Sequence, residues 1–338
     1  MKICQVLGGN EEGGLEIHFE TLCNRLSSYH EVHVIAHEKY ADRFDEAVIF
    51  HPLDLSKGRK NPFLLYALYR IIKEINPDIV HAHANKAAAM IASLRYVLPS
   101  KMKRVATLHS QKKNLKAFET FDHVIGVSKT VLEPLKHAAK SVVYNGIDMQ
   151  NISYDPHYLA SLGVKEDTFV LCAVGRMEKV KNFALLLEAI KELDVALLLV
   201  GEGSQKASLQ TLAQRLQIEN KVHFTGFRDD VPKLLYHSDL CVISSDREGF
   251  SYVMAEALLL ERPVVSTNVG DMRTLLPKAC VVPVGDAQAL REGIRFVMEN
   301  KEETAKAFEP RFAFAKTHFT LEAMVQGVLA VYDEVVKR

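Results

Sequence analysis

The sequence predicts an α/β fold built from two doubly wound parallel sheets. The chain has 338 residues, a length that suggests two domains with a core each. Short runs rich in β-branched residues alternate with helical patterns along the whole chain. These runs are continuously apolar, which is typical of parallel strands that helices cover on both faces. With 48% apolar residues, the composition excludes a disordered chain.

The first half carries predicted strands with helical patterns between them. The strands lie near residues 2–7, 31–36, 78–82, 103–109, 122–127 and 140–144. The helical patterns cover about 14–28, 61–75, 84–97 and 128–138. This alternation predicts the first parallel sheet.

The second half repeats the alternation and predicts the second sheet. Its strands lie near residues 169–175, 195–201, 221–225, 240–245, 262–267 and 281–284. Its helices fall near 182–193, 204–216, 231–237, 251–260 and 287–299. We expect a loop around Phe312–Thr320, and the segment Leu321–Arg338 has the pattern of one amphipathic helix.

A turn signal, Asn145-Gly146-Ile147-Asp148, follows the last strand of the first half. We therefore expect a first domain over residues 1–148 and a second over 149–319. In open α/β sheets, ligands bind beyond the carboxyl ends of the strands. Two such domains facing one another would form a cleft, and the residues just after strands are the candidates for chemistry.

Hydropathy and cysteine spacing limit the classes of protein to which this chain can belong. No apolar stretch approaches the roughly 18–20 residues that span a bilayer. The run Met1–Leu7 reaches glycine too early for a signal peptide and predicts a strand, so we expect a cytoplasmic protein. The 5 cysteines are widely spaced and form no CxxC pair. They predict buried, reduced thiols rather than a disulfide framework or a zinc module.

Charge is balanced overall, with 42 Lys and Arg against 42 Asp and Glu, but it is unevenly distributed. Residues 57–140 carry 16 Lys and Arg against 5 Asp and Glu, a net charge of +11. A basic segment in a neutral chain indicates a local anionic partner, although a solvated basic face is the alternative. The segment lacks interleaved exposed aromatic residues at strand spacing, which a single-strand nucleic-acid surface would show.

Two glutamates eight positions apart, Glu248 and Glu256, are the first candidates for a site. Glu248 follows the strand predicted near 240–245, and Glu256 lies in a helix that is apolar around its circumference. A buried carboxylate needs a partner, which a ribose diol or a salt bridge could supply. Gly249 and the amides at the helix start could bind an anion beside Glu248.

Arg176 and Lys181 follow the strand predicted near 169–175, and Asn182 is a plausible N-cap for the next helix. A guanidinium and an ammonium group in such a loop could bind a diphosphate, or they could belong to a solvated basic loop. The glycine-rich turn 8–14 follows the first strand, where glycines allow close approach to a phosphate. It is not GxGxxG, and a structural turn is the alternative.

Histidines near strand ends are the last candidates. His81 and His83 share one face of a strand and resemble a metal-binding pair. Because no third ligand stands nearby in sequence, we predict no metal site. His109 closes the strand near 103–109 and is a candidate substrate contact or a buried core histidine.

These motifs together resemble the retaining glycosyltransferases of family 4, which have the GT-B fold of two facing Rossmann-like domains. Glu248-x7-Glu256 matches the E-x7-E signature of that family, and Gly175-Arg176 with Lys181-Asn182 matches its diphosphate loop. Further landmarks lie in both halves, at residues 13–18, 77–83, 126–129, 144–148, 201–203 and 222–227. The resemblance covers nearly the whole chain and implies an acceptor-side first domain, a donor-binding second domain and a C-terminal helix, about 320–338, packed back on the first.

The resemblance also implies roles for the residues of the second half. Arg176 and Lys181 would hold the donor diphosphate, and Glu256 would bind the ribose hydroxyls. Glu248 would hold hydroxyls of the transferred sugar near its C3–C4 edge. Three backbone amides would assist Glu248, and a loop would border the base; these are the amides of Gly249, Phe250 and Ser251 and the loop of Gly226, Phe227 and Arg228.

In the first half, the resemblance assigns donor contacts to three residues. His109 would contact the sugar near its anomeric carbon, and Gly13 and Gly14 would lie against the phosphate. Together with Glu248, Arg176 and Lys181, His109 completes the catalytic set that the resemblance implies. No metal and no cofactor beyond the nucleotide-sugar co-substrate is expected.

We therefore expect a retaining, metal-independent glycosyltransferase that moves a hexose from a nucleotide-diphosphate sugar to a glycan or lipid-linked acceptor. Bacterial envelope polysaccharide or lipopolysaccharide synthesis suits the family and the basic segment. That segment predicts peripheral contact with the inner face of an anionic membrane, or with a phosphorylated acceptor. The alternatives are a nucleotide-sugar epimerase of the same fold and a non-catalytic nucleotide-sugar-binding protein.

Overall fold

A computed structural model describes residues 1–149 and 152–338 of the chain. These residues form two compact units. One unit joins Met1–Gly146 to Leu321–Arg338, and the other is Ile147–Thr320. Each unit contains one parallel sheet with helices between its strands, which confirms the predicted doubly wound α/β class.

The sheet of the first unit has seven strands. They are β1 Lys2–Leu7, β2 Glu31–Ala36, β3 Val48–Pro52, β4 Ile79–His83, β5 Lys103–Leu108, β6 His123–Gly126 and β7 Lys140–Val142. Their order is β3-β2-β1-β4-β5-β6-β7. Strands β2 and β3 are added on one side of β1 and strands β4 to β7 on the other, so the strand order reverses between β1 and β4. Ligands of open α/β sheets bind at such a reversal, beyond the carboxyl ends of the strands.

Helices cover both faces of this sheet. They are α1 Gly14–Leu26, α2 Pro62–Ile75, α3 Ala84–Leu94, α4 Lys129–Leu132 and, from the C-terminus, α13 Leu321–Lys337. Residues of α2 and α3 share one buried cluster with the sheet. Residues of α1 and α13 share the other, in which α13 buries Met324, Val328 and Tyr332. The amphipathic pattern of the C-terminal segment thus reflects one face against the first sheet.

Two expectations for the first unit are wrong. No strand was expected at β3. This strand lies at the edge of the sheet with its residues partly exposed, and its short run of apolar and polar residues does not predict a strand. The helix expected over 128–138 ends at Leu132. Pro134 follows two positions later, and a proline has no backbone N–H with which to continue the helical hydrogen bonds.

The sheet of the second unit has six strands. They are β8 Phe169–Val174, β9 Val195–Val200, β10 Val222–Gly226, β11 Leu240–Ile243, β12 Val264–Thr267 and β13 Val281–Val282. Their order is β10-β9-β8-β11-β12-β13, with the reversal between β8 and β11. The loops that follow β8 and β11 are therefore neighbours at the carboxyl edge, and both carry predicted site residues.

The helices of the second unit lie between and after these strands. They are α5 Tyr158–Ser161, α6 Phe183–Ile190, α7 Lys206–Arg215, α8 Val231–His237, α9 Tyr252–Leu259, α10 Met272–Leu275, α11 Ala287–Glu299 and α12 Lys301–His318. The loop expected around Phe312–Thr320 is wrong, because α12 continues through Pro310 to His318. An internal proline and the lack of a clear apolar stripe hide this helix from the sequence pattern.

Two further observations concern the cysteines and the apolar helices. All five cysteines are free and buried, as expected from their spacing. No helix among the described residues is both long enough and apolar enough to cross a bilayer.

Candidate active site

The centre of the candidate site in the second unit is an ion pair between Lys181 and Glu248. Lys181 Nζ lies 2.6 Å from Glu248 Oε1, and the two side chains are 26% and 12% exposed. Ser245 Oγ donates to the same oxygen at 2.8 Å. Glu248 Oε2 accepts no hydrogen bond from the described residues, so one carboxylate oxygen is held and the other is free to bind a ligand hydroxyl.

The loops that carry this pair are hydrogen-bonded to each other. Ser244 Oγ donates to the carbonyl of Lys181 at 2.9 Å, and the amide of Asp246 donates to Val180 at 2.8 Å. Asn182 donates from Nδ2 to Asp246 at 2.8 Å, while its Oδ1 accepts from Leu185 at the start of α6. The predicted N-cap is confirmed, and these bonds position Lys181 against Glu248.

Glycine is required where the loops after β8 and β9 meet. A Cβ on Gly201 would lie 2.1 Å from the carbonyl oxygen of Gly175, a distance that no side chain tolerates. A Cβ on Gly175 would lie 3.1 Å from Lys181 Cε, so glycine also leaves room for the lysine side chain. The backbone contacts continue outward, with the amide of Gly175 bonded to Val200 and that of Gly201 bonded to Gly226.

Arg176 lies in the same loop, exposed to solvent. Its guanidinium makes no hydrogen bond or ion pair with the described residues, in contrast to Lys181, although its charge adds to the hydrogen bonds from Ser204 that lower the pKa of Glu178. The loop backbone around it is fixed, since the amide of Met177 donates to Glu202 at 2.8 Å. A rigid loop therefore carries an unpaired guanidinium and a paired ammonium group, both available to an anionic ligand.

Glu256 lies on α9, whose first turn is capped by Ser251 Oγ accepting from Met254 at 3.3 Å. Burial raises the pKa of the Glu256 carboxyl from 4.5 to about 7. It accepts no hydrogen bond from the described residues, and its charge adds to the effect of burial in raising the pKa values of the Cys172 and Cys241 thiols of β8 and β11. Glu256 is therefore a desolvated carboxyl group on α9 without a hydrogen-bond partner among the described residues.

A small pocket adjoins Glu248 at the start of α9. The predicted residues Gly249, Phe250 and Ser251 line it, and Phe250 packs edge-on against Phe319 with ring centroids 5.5 Å apart. Sequence reasoning missed the other lining residues, which are Met254, Gly270, Asp271, Met272 and Leu275. Gly270 and Asp271 follow strand β12. Because ligands of open α/β sheets bind beyond the carboxyl ends of the strands, the position of these two residues in the sequence could have identified them.

The loop predicted to border a base follows β10. Phe227 is 81% exposed, and Gly226 ends the strand. Arg228 forms two bonds to Asp230, of 2.7 and 2.6 Å, and Tyr158 donates to the same carboxylate. Hydrogen bonds from the Arg228 guanidinium lower the pKa of Asp230 to about 2. Arg228 therefore stabilises this loop, and the exposed ring of Phe227 is the part of the loop that can contact a ligand.

The predicted residues of the first unit lie at the carboxyl edge of its own sheet. Gly13 precedes α1, whose first residue is Gly14, just after β1. His109 follows β5 and packs edge-on against His18, with ring centroids 4.8 Å apart. Burial lowers the pKa of His109 well below its ordinary value, so its ring is neutral near pH 7.

Residues 12–151 match the family described as Glycosyltransferase Family 4, and residues 156–311 match Glycosyl transferases group 1. The chain belongs to the family 4, group 1 glycosyltransferases. This assignment favours a transferase over an epimerase or a non-catalytic binding protein.

Relatives and solved structures agree with the assignment. The O-antigen biosynthesis glycosyltransferase WclY of Escherichia coli is 21% identical, over 98% of each chain. The N-acetylgalactosamine-N,N'-diacetylbacillosaminyl-diphospho-undecaprenol 4-alpha-N-acetylgalactosaminyltransferase of Campylobacter jejuni is 28% identical, over 88% of this chain and 93% of the relative. Anabaena Alr3699/HepE, solved in complex with UDP, superposes with a TM-score of 0.85 at 23% identity, covering 99% of this chain and 100% of that one. The predicted GT-B fold is confirmed.

Proposed function

We propose that this glycosyltransferase moves a hexose, with retention of its anomeric configuration, from a nucleotide-diphosphate sugar to a glycan or lipid-linked acceptor of the cell envelope. The observation that carries the proposal is the Lys181–Glu248 pair beside the unpaired Arg176. The O-antigen relative and the relative named for a diphospho-undecaprenol acceptor support the envelope role. The complex of HepE with UDP supports a nucleotide-sugar donor.

Lys181 and Arg176 bind the diphosphate. An ammonium group has three donors, and only one of those on Lys181 is used by Glu248, at 2.6 Å. The other two remain for phosphate oxygens, and Arg176 adds a fork of donors that matches a phosphate. Both charges follow β8 on a loop held by hydrogen bonds, so little ordering is left to be done when the ligand binds.

Glu248 and Glu256 bind hydroxyl groups of the donor. The free Oε2 of Glu248 accepts from the transferred sugar, and the amides of Gly249, Phe250 and Ser251 line the pocket beside it. Glu256 accepts from the two ribose hydroxyls, which supply the hydrogen bonds that no described residue gives to this carboxyl group. The exposed ring of Phe227 borders the base.

Transfer needs stabilisation of the departing phosphate. The bond from the anomeric carbon to the phosphate oxygen breaks as the acceptor oxygen bonds to that carbon on the same face. The acceptor proton passes to the departing phosphate oxygen, which balances the step. Lys181 and Arg176 stabilise the negative charge that grows on the diphosphate, and this fixed positive charge supports a reaction that uses neither metal nor cofactor.

Three residues of the first unit complete the proposed donor contacts. Neutral His109 contacts the sugar near the anomeric carbon, where an uncharged ring does not oppose the developing positive charge. Gly13 and Gly14 lie against the phosphate at the start of α1, where the helix dipole favours an anion.

The first test identifies the donor. A panel of nucleotide sugars is screened for protection against heat denaturation, because a true ligand stabilises the folded state by mass action. The donor found in this way is then used with candidate acceptors, and the anomeric configuration of the product is read by NMR. An inverted product would contradict retention, and free epimerised donor without acceptor would favour an epimerase.

The second test examines the diphosphate assignment. Lys181→Ala and Arg176→Ala are expected to lower kcat by about 100-fold or more, as removal of groups that stabilise the transition state does. Lys179→Ala is the matched control, since Lys179 is an exposed cation of the same turn. Near-normal turnover in both test variants would refute the assignment, whereas an equal loss in the control would show a general charge effect.

The basic segment 57–140 supports peripheral contact with an anionic membrane. Helix α2 adds apolar side chains at its exposed start, with Phe63 at 84% and Tyr66 at 62% exposure. Lys112, Lys113 and Lys116 are also exposed. Basic residues with exposed aromatic rings are the combination that binds the interface of an anionic bilayer.

A further inference from the structure

Three histidines of the first unit converge from separate segments. His18 lies on α1, His83 ends β4, and His109 follows β5. Each offers a ring nitrogen, and these nitrogens all lie within 4.8 Å of one another. The pairing of β4 with β5 brings His83 beside Thr107, two residues before His109.

The converging ring nitrogens lack partners. Both nitrogens of His18, Nδ1 of His83 and Nε2 of His109 are buried and make no hydrogen bond of good geometry with the described residues. The side chain of Asn145 lies beside His18, and its Oδ1 is also left without a well-placed donor. His18 is 3% exposed and His83 is 0% exposed. Buried polar atoms without partners are rare in folded proteins, so this concentration at one place indicates a shared ligand.

A hydrogen-bond chain orients His83 with its free nitrogen as an acceptor. Gln5 Nε2 donates to Tyr332 Oη at 2.8 Å, which directs Gln5 Oε1 toward His83 Nε2, also at 2.8 Å. Nε2 of His83 must therefore carry the proton, and Nδ1 presents its lone pair. An outer partner that fixes the tautomer in this way is the usual arrangement behind a metal-bound histidine.

The same chain excludes the neighbouring histidine. His81 bonds Tyr332 Oη through Nδ1 and Thr107 Oγ1 through Nε2, both at 2.7 Å. Neither nitrogen of His81 is available to a ligand. The pair His81 and His83, which suggested a metal site in the sequence, therefore supplies one candidate ligand, and α1 supplies another that is distant in sequence.

We propose that His18, His83 and His109 form a binding site for a transition-metal cation of the Zn²⁺ class. Three neutral imidazoles without a carboxylate suit Zn²⁺, Cu²⁺ or Ni²⁺ rather than Mg²⁺ or Ca²⁺. Zinc–nitrogen bonds of about 2.0–2.1 Å bring tetrahedral ligands to about 3.3 Å from one another. Closing from 4.8 Å requires ring movements of about 1 Å, with the fourth position left to water or a ligand.

The test measures metal binding directly, without reference to activity. The full chain is freed of metal with a chelator, and Zn²⁺ is titrated by calorimetry. One equivalent is expected to bind, and His18→Gln and His83→Gln are each expected to weaken binding by at least about 10-fold. Co²⁺ gives a second readout, because its visible absorption reports tetrahedral nitrogen ligands.

The matched control removes a histidine pair elsewhere in the same unit. His33 and His51 are joined by a 2.8 Å bond between ring nitrogens, and this pair lies outside the proposed site. His51→Gln is expected to leave the one-equivalent binding unchanged. Loss of binding in this control, or no binding by the wild type, would overturn the proposal and leave an ordinary water as the shared partner.

Two further outcomes keep the test decisive. If a histidine variant fails to fold, nitrogen-detected NMR of the wild-type imidazoles replaces it, and zinc must then shift His18, His83 and His109 together. Zinc is also expected to inhibit sugar transfer by occupying His109, an effect that rests on the proposed function. Zinc bound without inhibition would support the metal site while refuting His109 as the sugar contact.

Discussion

Glu256 gives the sharpest prediction, because burial desolvates its carboxyl and none of the described residues hydrogen-bonds to it. Its pKa rises from 4.5 to about 7 on folding. The folded chain therefore keeps this proton at pH values where the unfolded chain has lost it. Stability from this group is fully present below pH 4.5 and is lost as the pH rises to about 7, by about 3 kcal/mol in all.

The perturbation is Glu256→Gln, an isosteric side chain that does not titrate. The free energy of unfolding is measured for both proteins from pH 4 to pH 8, and the wild type is subtracted from the variant. The difference is expected to grow by about 3 kcal/mol in favour of the variant and to level off above pH 7. The Glu256 carboxyl carbon, followed by NMR in the folded protein, must titrate near pH 7. A midpoint near 4.5 would refute the reasoning.

Ligand binding provides the second half of the experiment. With a pKa of about 7, the ionised carboxylate makes up about one tenth of the protein at pH 6 and about nine tenths at pH 8. We expect the ribose hydroxyls to bind only this ionised form. The nucleoside diphosphate of the donor that the heat-protection screen identifies is then expected to bind about 10-fold more tightly at pH 8, beyond the change that Glu256→Gln shows. Identical pH dependence in both proteins would place the ribose elsewhere.

Three further predictions concern the metal, the membrane and the fold. EDTA is expected to leave the initial rate of transfer unchanged, and a loss that Mg²⁺ restores would contradict metal-independent transfer. Binding to anionic vesicles is expected to fall as salt rises and to weaken in Phe63→Ser, whereas binding to neutral vesicles at any salt would argue against the basic surface. Gly201→Ala is expected to cost about 1–3 kcal/mol of stability through its overlap with Gly175. Gly58 has a similar φ of 122° but open space around it, so Gly58→Ala measures the backbone strain alone. Equal losses of stability in the two variants would exclude the contact with Gly175 as the cause.

The sequence pattern was informative wherever burial and chain order coincide. Continuously apolar strands alternating with helices predicted both parallel sheets, because a strand covered on both faces has no polar side to show. The pattern failed for β3, which lies at an exposed edge, and for α12, which continues past Pro310. Edge exposure and an internal proline both remove the local signal while packing maintains the structure.

Residue identities alone determined the architecture of each half and identified the loops that carry Lys181 and Glu248, since strand ends are a local property. Only the tertiary structure decided that these two side chains meet at 2.6 Å, that Ser245 shares the contact and that Asp271 lies nearby. The same holds for His18, which is distant in sequence from His83 and His109 yet lies beside both. Contacts of this kind depend on strand order and helix placement, which bring together segments that no local pattern connects.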